Sequence, residues 1–158
     1  MEAIDIELGA SRIGKYQLIR RLGEGATSEV FLCQDDFFQR EVALKRVRSA
    51  ALMDAVDGPV YARFFAAEAA LVGRLQHPNV VQIYDAVADP MSPYLVMEYV
   101  DGQPIDRHAD DRNLDLGARL RLFDAVCEAV AHAHARLVIH CDIKPGNVLV
   151  NGEGQVRL

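Results

Sequence analysis

Apolar and polar positions alternate through the first half of this chain and take helical spacing in the second. Tyr16–Leu22 reads as a strand that ends at the turn signal Gly23-Glu24-Gly25. Glu29–Gln34 reads as a second strand, with Asp35-Asp36 as its turn. Arg40–Val47 alternates apolar and charged side chains, as a half-buried third strand should. Three strands on short connections predict an antiparallel meander. A helix is predicted from Pro59 to about Gln76, since proline suits a first turn and His77-Pro78-Asn79 closes it. Val80–Tyr84 and Tyr94–Val100 read as two more strands, and Asp101-Gly102-Gln103-Pro104 as a hinge. Beyond the hinge, Leu116, Leu120, Phe123, Val126, Val130 and His134 fall at helical spacing, with Asn113 and Asp115 as candidate caps.

Two short apolar runs follow, Val138-Ile139 and Val148-Leu149-Val150, and both read as buried strands. Between them lies a polar octet carrying proline and glycine. A loop anchored in this way holds its side chains in fixed positions. Within it Asp142 can take a proton, Lys144 can steady a phosphate, and Asn147 can ligate a metal through its amide oxygen. A surface turn with a few polar residues is the plainer reading of the same stretch. The octet His140-Cys141-Asp142-Ile143-Lys144-Pro145-Gly146-Asn147 resembles the catalytic loop H-R-D-L-x-x-x-N of the protein kinases. A lysine two places after the aspartate is the serine/threonine form of that loop.

Gly23-Glu24-Gly25-Ala26-Thr27-Ser28-Glu29-Val30 lies between two predicted strands. A dinucleotide fingerprint would open a helix, and a Walker loop would carry G-K-S/T, so neither applies. A glycine-rich hairpin lets backbone N–H groups approach phosphate oxygens, although alone it is more simply a turn. It resembles the kinase glycine loop, with Ser28 in place of the third glycine. Val42-Ala43-Leu44-Lys45 resembles the V-A-I-K motif. The resemblance implies that residues Leu22 to Val30 cover a nucleotide, with Ala43 and Lys45 beside it and Lys45 on its α- and β-phosphates. Glu68 sits on the apolar stripe of Phe64, Leu71, Val72 and Leu75, where an unpaired charge would cost several kcal/mol. Lys45 is the expected partner. By the same resemblance Met97 lines the back of the adenine pocket, and Glu98 and Val100 supply backbone contacts. On pattern alone, Met97 is simply core.

The resemblance therefore implies an α+β, protein-kinase-like fold. Residues 13–100 would form a five-stranded antiparallel small lobe with one helix, and 101–158 the hinge and part of a helical large lobe, after a leader over 1–12. It implies ATP and Mg²⁺ as cofactors, with Asp142 as catalytic base, Lys144 on the γ-phosphate, and Asn147 as a ligand of a second Mg²⁺. The D-F-G aspartate, which would hold the other, is not found in the chain. Residues 1–158 alone are accordingly expected to be inactive and poorly stable. Cys141 stands where kinases switched by loop phosphorylation carry arginine, which predicts independence from that switch. His140 is expected to brace the loop, and His134 and Cys127 to pack. His132 and His134, two apart on a helix, point to different faces and do not converge on one metal.

Composition narrows the picture without deciding it. The 158 residues are 51% hydrophobic and 25% charged, ordinary globular material. A net charge of −6 without a basic block argues against nucleic acid as the main partner. No apolar stretch reaches membrane-spanning length, and residues 1–12 lack the features of a signal peptide. Three cysteines outside any C-x-x-C pair fit a reducing compartment, with the cytoplasm as default. The reading is a serine/threonine protein kinase of the bacterial type resembling eukaryotic kinases, acting on protein substrates. Its rivals are a non-catalytic nucleotide- or protein-binding module and a small-molecule kinase of related fold. Lys144-Pro145 and Val42-Ala43-Leu44-Lys45 argue against the second.

Overall fold

The computed structural model describes residues 11–48, 67, 73, 75–89 and 92–158. Most of the helix predicted from Pro59 to Gln76, Glu68 included, therefore lies outside the described residues. The chain divides into two compact units, Met1–Ala70 with Ile83–Tyr99, and Leu71–Gln82 with Val100–Leu158.

The first unit is built on one antiparallel sheet. Its strands are β1 (Arg12–Ile13), β2 (Tyr16–Glu24), β3 (Ser28–Asp35), β4 (Arg40–Val47), β5 (Ile83–Val87) and β6 (Tyr94–Glu98), in the order β1-β2-β3-β4-β6-β5. This is one strand more than predicted. The two residues of β1 are too few to show a period; they pair with β2 across Gly14, whose φ of +56° suits the tight turn. Strand β5 is displaced three residues from its predicted start. Val80 instead packs in the second unit, where the Val81 N–H also donates to the Leu158 carbonyl. An unbroken apolar run cannot say at which residue the chain leaves one core for another.

Alternation along β4 sets the two faces of the sheet. Val42 and Leu44 point to one side and pack with Tyr16, Leu18, Phe31, Cys33, Tyr94 and Val96 in the main core. Each such side chain contributes about 1.5–3 kcal/mol on burial. Burial pushes the Cys33 thiol up to about 11, so it behaves as a small apolar residue. The Tyr16 hydroxyl, held above its usual range by burial and by Asp85, donates to Asp85 at 3.0 Å. Asp35 is 2% exposed yet satisfied: its Oδ1 accepts the N–H groups of Phe37 and Phe38 at 3.1 and 3.2 Å, which turns the chain from β3 into β4.

The second unit contains β7 (Gly102–Pro104), α1 (Ile105–Asp111), α2 (Leu116–His134), a 3₁₀ turn (Pro145–Asn147), β8 (Leu149–Asn151) and β9 (Val156–Arg157). The strands form a sheet in the order β7-β8-β9. The predicted hinge thus carries strand β7, and a short helix precedes the long one. Asn113, expected as a cap of the long helix, instead closes α1 with φ +50° while the Leu114 N–H reaches back to the Ala109 carbonyl. Asp115 is the cap of α2, its Oδ1 accepting the Ala118 N–H at 2.7 Å.

Helix α2 buries Val126, Ala129 and Ala133, with Leu122, Ala125 and Val130 partly covered, against Val148, Val150, Val156, Leu75 and Val80. Leu116, Leu120 and Phe123 are exposed, as are Cys127 and His134, both expected to pack. Two apolar stripes lie about a third of a turn apart on this helix, and the 3.6-residue period fits either. The helix ends in a Schellman motif: the Val138 N–H donates to the Ala133 carbonyl and the Leu137 N–H to the His134 carbonyl, with Leu137 at φ +62°. That closure uses the backbone of Val138, so the first of the two apolar runs is no strand, and Ile139 stands 73% exposed.

Candidate active site

In the first unit the predicted nucleotide residues gather by strand register. Val30 lies opposite Lys45 across β3 and β4, and Ala43 lies opposite Met97 across β4 and β6. These four share the sheet face turned away from the main core, where Met97 packs beside Val47, Leu95 and Ile83. Leu22 and Gly23 end β2 half-buried, and β2 is bulged against β3 between Arg21 and Gly23. The Gly25 N–H donates to the Ser28 carbonyl at 2.8 Å and closes the hairpin through Ala26 and Thr27. The space where a Gly23 side chain would stand is open, with no atom within 4 Å. Such an opening beside exposed backbone suits phosphate oxygens. Glu98 ends β6 half-buried.

Charges missed by sequence reasoning hold this hairpin. Glu24 is paired with Arg21 at 2.7 Å and with Arg48 at 2.5 Å, and the Arg48 N–H donates to the Thr27 carbonyl at 2.9 Å. Glu29 pairs with Arg46, its cross-strand partner, at 3.1 Å. Opposite charges facing each other on neighbouring strands were the available signal, but register is needed to read it.

In the second unit Val100 is buried, and the loop is exposed from His140 to Gly146, with Asn147 half-buried. Asp142 is its centre. Its Oδ2 accepts from Lys144 Nζ at 2.8 Å and from Asn147 Nδ2 at 2.9 Å, and Asn147 Nδ2 also reaches the Asp142 carbonyl at 2.8 Å. The Lys144 and Asn147 hydrogen bonds, in that order, hold the Asp142 carboxyl below its usual range. His140 braces the turn, Nδ1 accepting the Asp142 N–H at 3.2 Å. Cys141 adopts φ +63°, a left-handed conformation that side chains other than glycine rarely take. The 3₁₀ turn then positions Asn147, whose N–H donates to the Lys144 carbonyl at 2.9 Å. Asn147 Oδ1 has no hydrogen-bond partner among the described residues, which leaves a hard oxygen suited to Mg²⁺.

The family model for the protein kinase domain matches residues 16–158. The chain belongs to the protein kinase family. Serine/threonine-protein kinase PrkC of Bacillus subtilis is 34% identical over 152 residues, 96% of this chain and 23% of that protein. Serine/threonine-protein kinase Pkn1 of Myxococcus xanthus is 36% identical over 150 residues, 95% of this chain and 21% of that protein. The crystal structure of the Mycobacterium tuberculosis PknI kinase domain aligns with a TM-score of 0.77 at 30% identity, covering 95% of this chain and 60% of that one. The chain thus spans less than a quarter of these curated kinases and three-fifths of the solved kinase domain. Among the described residues, no helix is long and apolar enough to cross a membrane.

Proposed function

We propose that this chain serves ATP-dependent phosphoryl transfer to serine or threonine hydroxyls of protein substrates, on the cytoplasmic side. The observation that carries the reading is the exposed Asp142 carboxylate, kept ionised by Lys144 and Asn147. An ionised carboxylate reachable from solvent can accept the proton of a substrate hydroxyl. Lys144 then balances negative charge arriving at the same place, and the unpaired Asn147 oxygen can ligate Mg²⁺. Bound ATP and Mg²⁺ supply the transferable phosphoryl group and the neutralisation of its charge. On the first unit, residues Leu22 to Val30, Ala43, Lys45, Met97 and Glu98 hold the nucleotide, together with Glu68 and Val100. The cysteines Cys33, Cys127 and Cys141 are all free thiols, as in a reducing compartment.

The test uses the natural polypeptide that carries this chain, with labelled ATP and a protein acceptor. Asp142→Asn should lower turnover at least a hundredfold without weakening nucleotide binding, and Lys45→Met should abolish transfer. Transfer that survives Asp142→Asn sinks the assignment of the base. Tight nucleotide binding with no transfer in the wild type would make the chain a binding module.

A further inference from the structure

A cavity of about 500 Å³ opens in the second unit, sharing no residue with the loop His140–Asn147. That volume is in the range of small-molecule sites. Its walls come from α1, the start of α2 and the β8–β9 hairpin. Leu114, Leu122 and Val156 give an apolar surface, while His108, Arg121 and Arg157 bring polar groups. Three observations set it apart from a packing defect. His108 is only 5% exposed, yet its ring makes no hydrogen bond or ion pair among the described residues. His108 lines the cavity and its ring nitrogens keep some accessible surface, which leaves a donor and an acceptor available there. Arg121 likewise makes no ion pair among the described residues, in contrast to Arg119 two places earlier, which is paired with Asp110 at 2.8 Å. Finally, the lining contains no aspartate or glutamate, although the chain carries a net charge of −6.

We propose that this cavity binds a small amphipathic carboxylate. The apolar body would lie on Leu114, Leu122 and Val156, with the carboxylate taken by the Arg121 fork and the His108 ring. Arginine suits this role because its planar guanidinium matches a carboxylate in two parallel hydrogen bonds. Arg157 is bonded to the Pro78 carbonyl and adds positive charge at the rim. Burial and the neighbouring Arg112 hold His108 below the usual imidazole range, against Asp111, which opposes them. The ring is then neutral, with one N–H to donate. The site goes beyond phosphoryl transfer and does not depend on it.

The test is a titration of the whole chain, labelled on histidine, with indole-3-butyrate and with its primary amide, followed by histidine ring resonances and by calorimetry. The acid should bind saturably and move the His108 resonances, with the amide about tenfold weaker, as the loss of one charge-assisted pair requires. Arg121→Gln, at an exposed position that tolerates change, should bring the acid down to the affinity of the amide. His108→Gln, which keeps a donor, should bind the acid better than His108→Leu. No saturable binding of the acid, equal binding of acid and amide to the wild type, or unchanged preference in Arg121→Gln would each overturn the proposal.

Discussion

Gly102→Ala tests how the candidate catalytic loop is anchored. Gly102 begins β7 and pairs with Asn151 of β8, whose first residue lies two places after Asn147. A Cβ on Gly102 would stand 2.7 Å from the Val150 carbonyl carbon and 3.0 Å from the Asn151 Cα. Carbon atoms rest at about 3.5–4.0 Å, so the strands must part by about 1 Å. These are backbone atoms, and no rotamer change relieves the overlap. Parting the pair weakens about two ladder hydrogen bonds at about 1 kcal/mol each and opens the packing of Val150, which is 1% exposed. The expected loss is about 2–3 kcal/mol, a fall in Tm of about 4–12 °C for a chain of this size. Gly152→Ala, in the following turn with nothing within 4 Å, is the control and should change stability by less than about 0.5 kcal/mol. Thermal melts of the three proteins by circular dichroism decide it. The Asn147 side-chain amide should also shift in Gly102→Ala, because β8 begins two residues after it. Equal melting temperatures for Gly102→Ala and Gly152→Ala would refute the reasoning.

Two other substitutions probe the same unit. Leu137 holds the left-handed position of the Schellman motif at 93% exposure and loses little packing on truncation, so Leu137→Gly should raise stability by about 1 kcal/mol in denaturant titration; a loss of stability would show that its side chain does more than sit in solvent. The Asp142 carboxyl is held below its ordinary value, chiefly by the Lys144 hydrogen bond, so its contribution to stability is present above the ordinary value and disappears as pH falls through the lower folded one. Lys144→Ala should move the Asp142 carboxyl resonance midpoint upward in a pH titration, and an unmoved or lower midpoint would remove Lys144 as the cause.

How much of this was legible in the sequence follows the range of each interaction. Strands β2, β3 and β4 were readable because apolar runs interleaved with polar residues are bounded by clear turn signals, even where consecutive residues such as Val42, Ala43 and Leu44 are all buried. The loop around Asp142 was readable because its candidate side chains bond to one another: Lys144 and Asn147 both reach Asp142 within five residues. What the sequence concealed was set by partners distant along the chain. Val80 and Val81 read as strand, yet they belong with Leu158, a neighbour supplied only by the folded second unit. Phe123 and Val126 sit on competing stripes of α2, and only Val148, Val150 and Val156 decide which is covered.

The same reasoning separates the two kinds of residue found around the candidate site. Asp142, Lys144 and Asn147 are recognisable by type because the proposed chemistry calls for them. Glu24, Arg21 and Arg48 are not, because any pair of opposite charges at that register would fix the glycine hairpin equally well. Cys141 falls between. Its φ of +63° is a strained choice for a cysteine, and the turn it makes lets His140 Nδ1 meet the Asp142 N–H. Strain of about 1–2 kcal/mol at one residue is thus offset by hydrogen bonds that fix its neighbour's carboxylate. A loop built this way favours one placement of Asp142 over local relaxation, which suits the general-base role proposed for it.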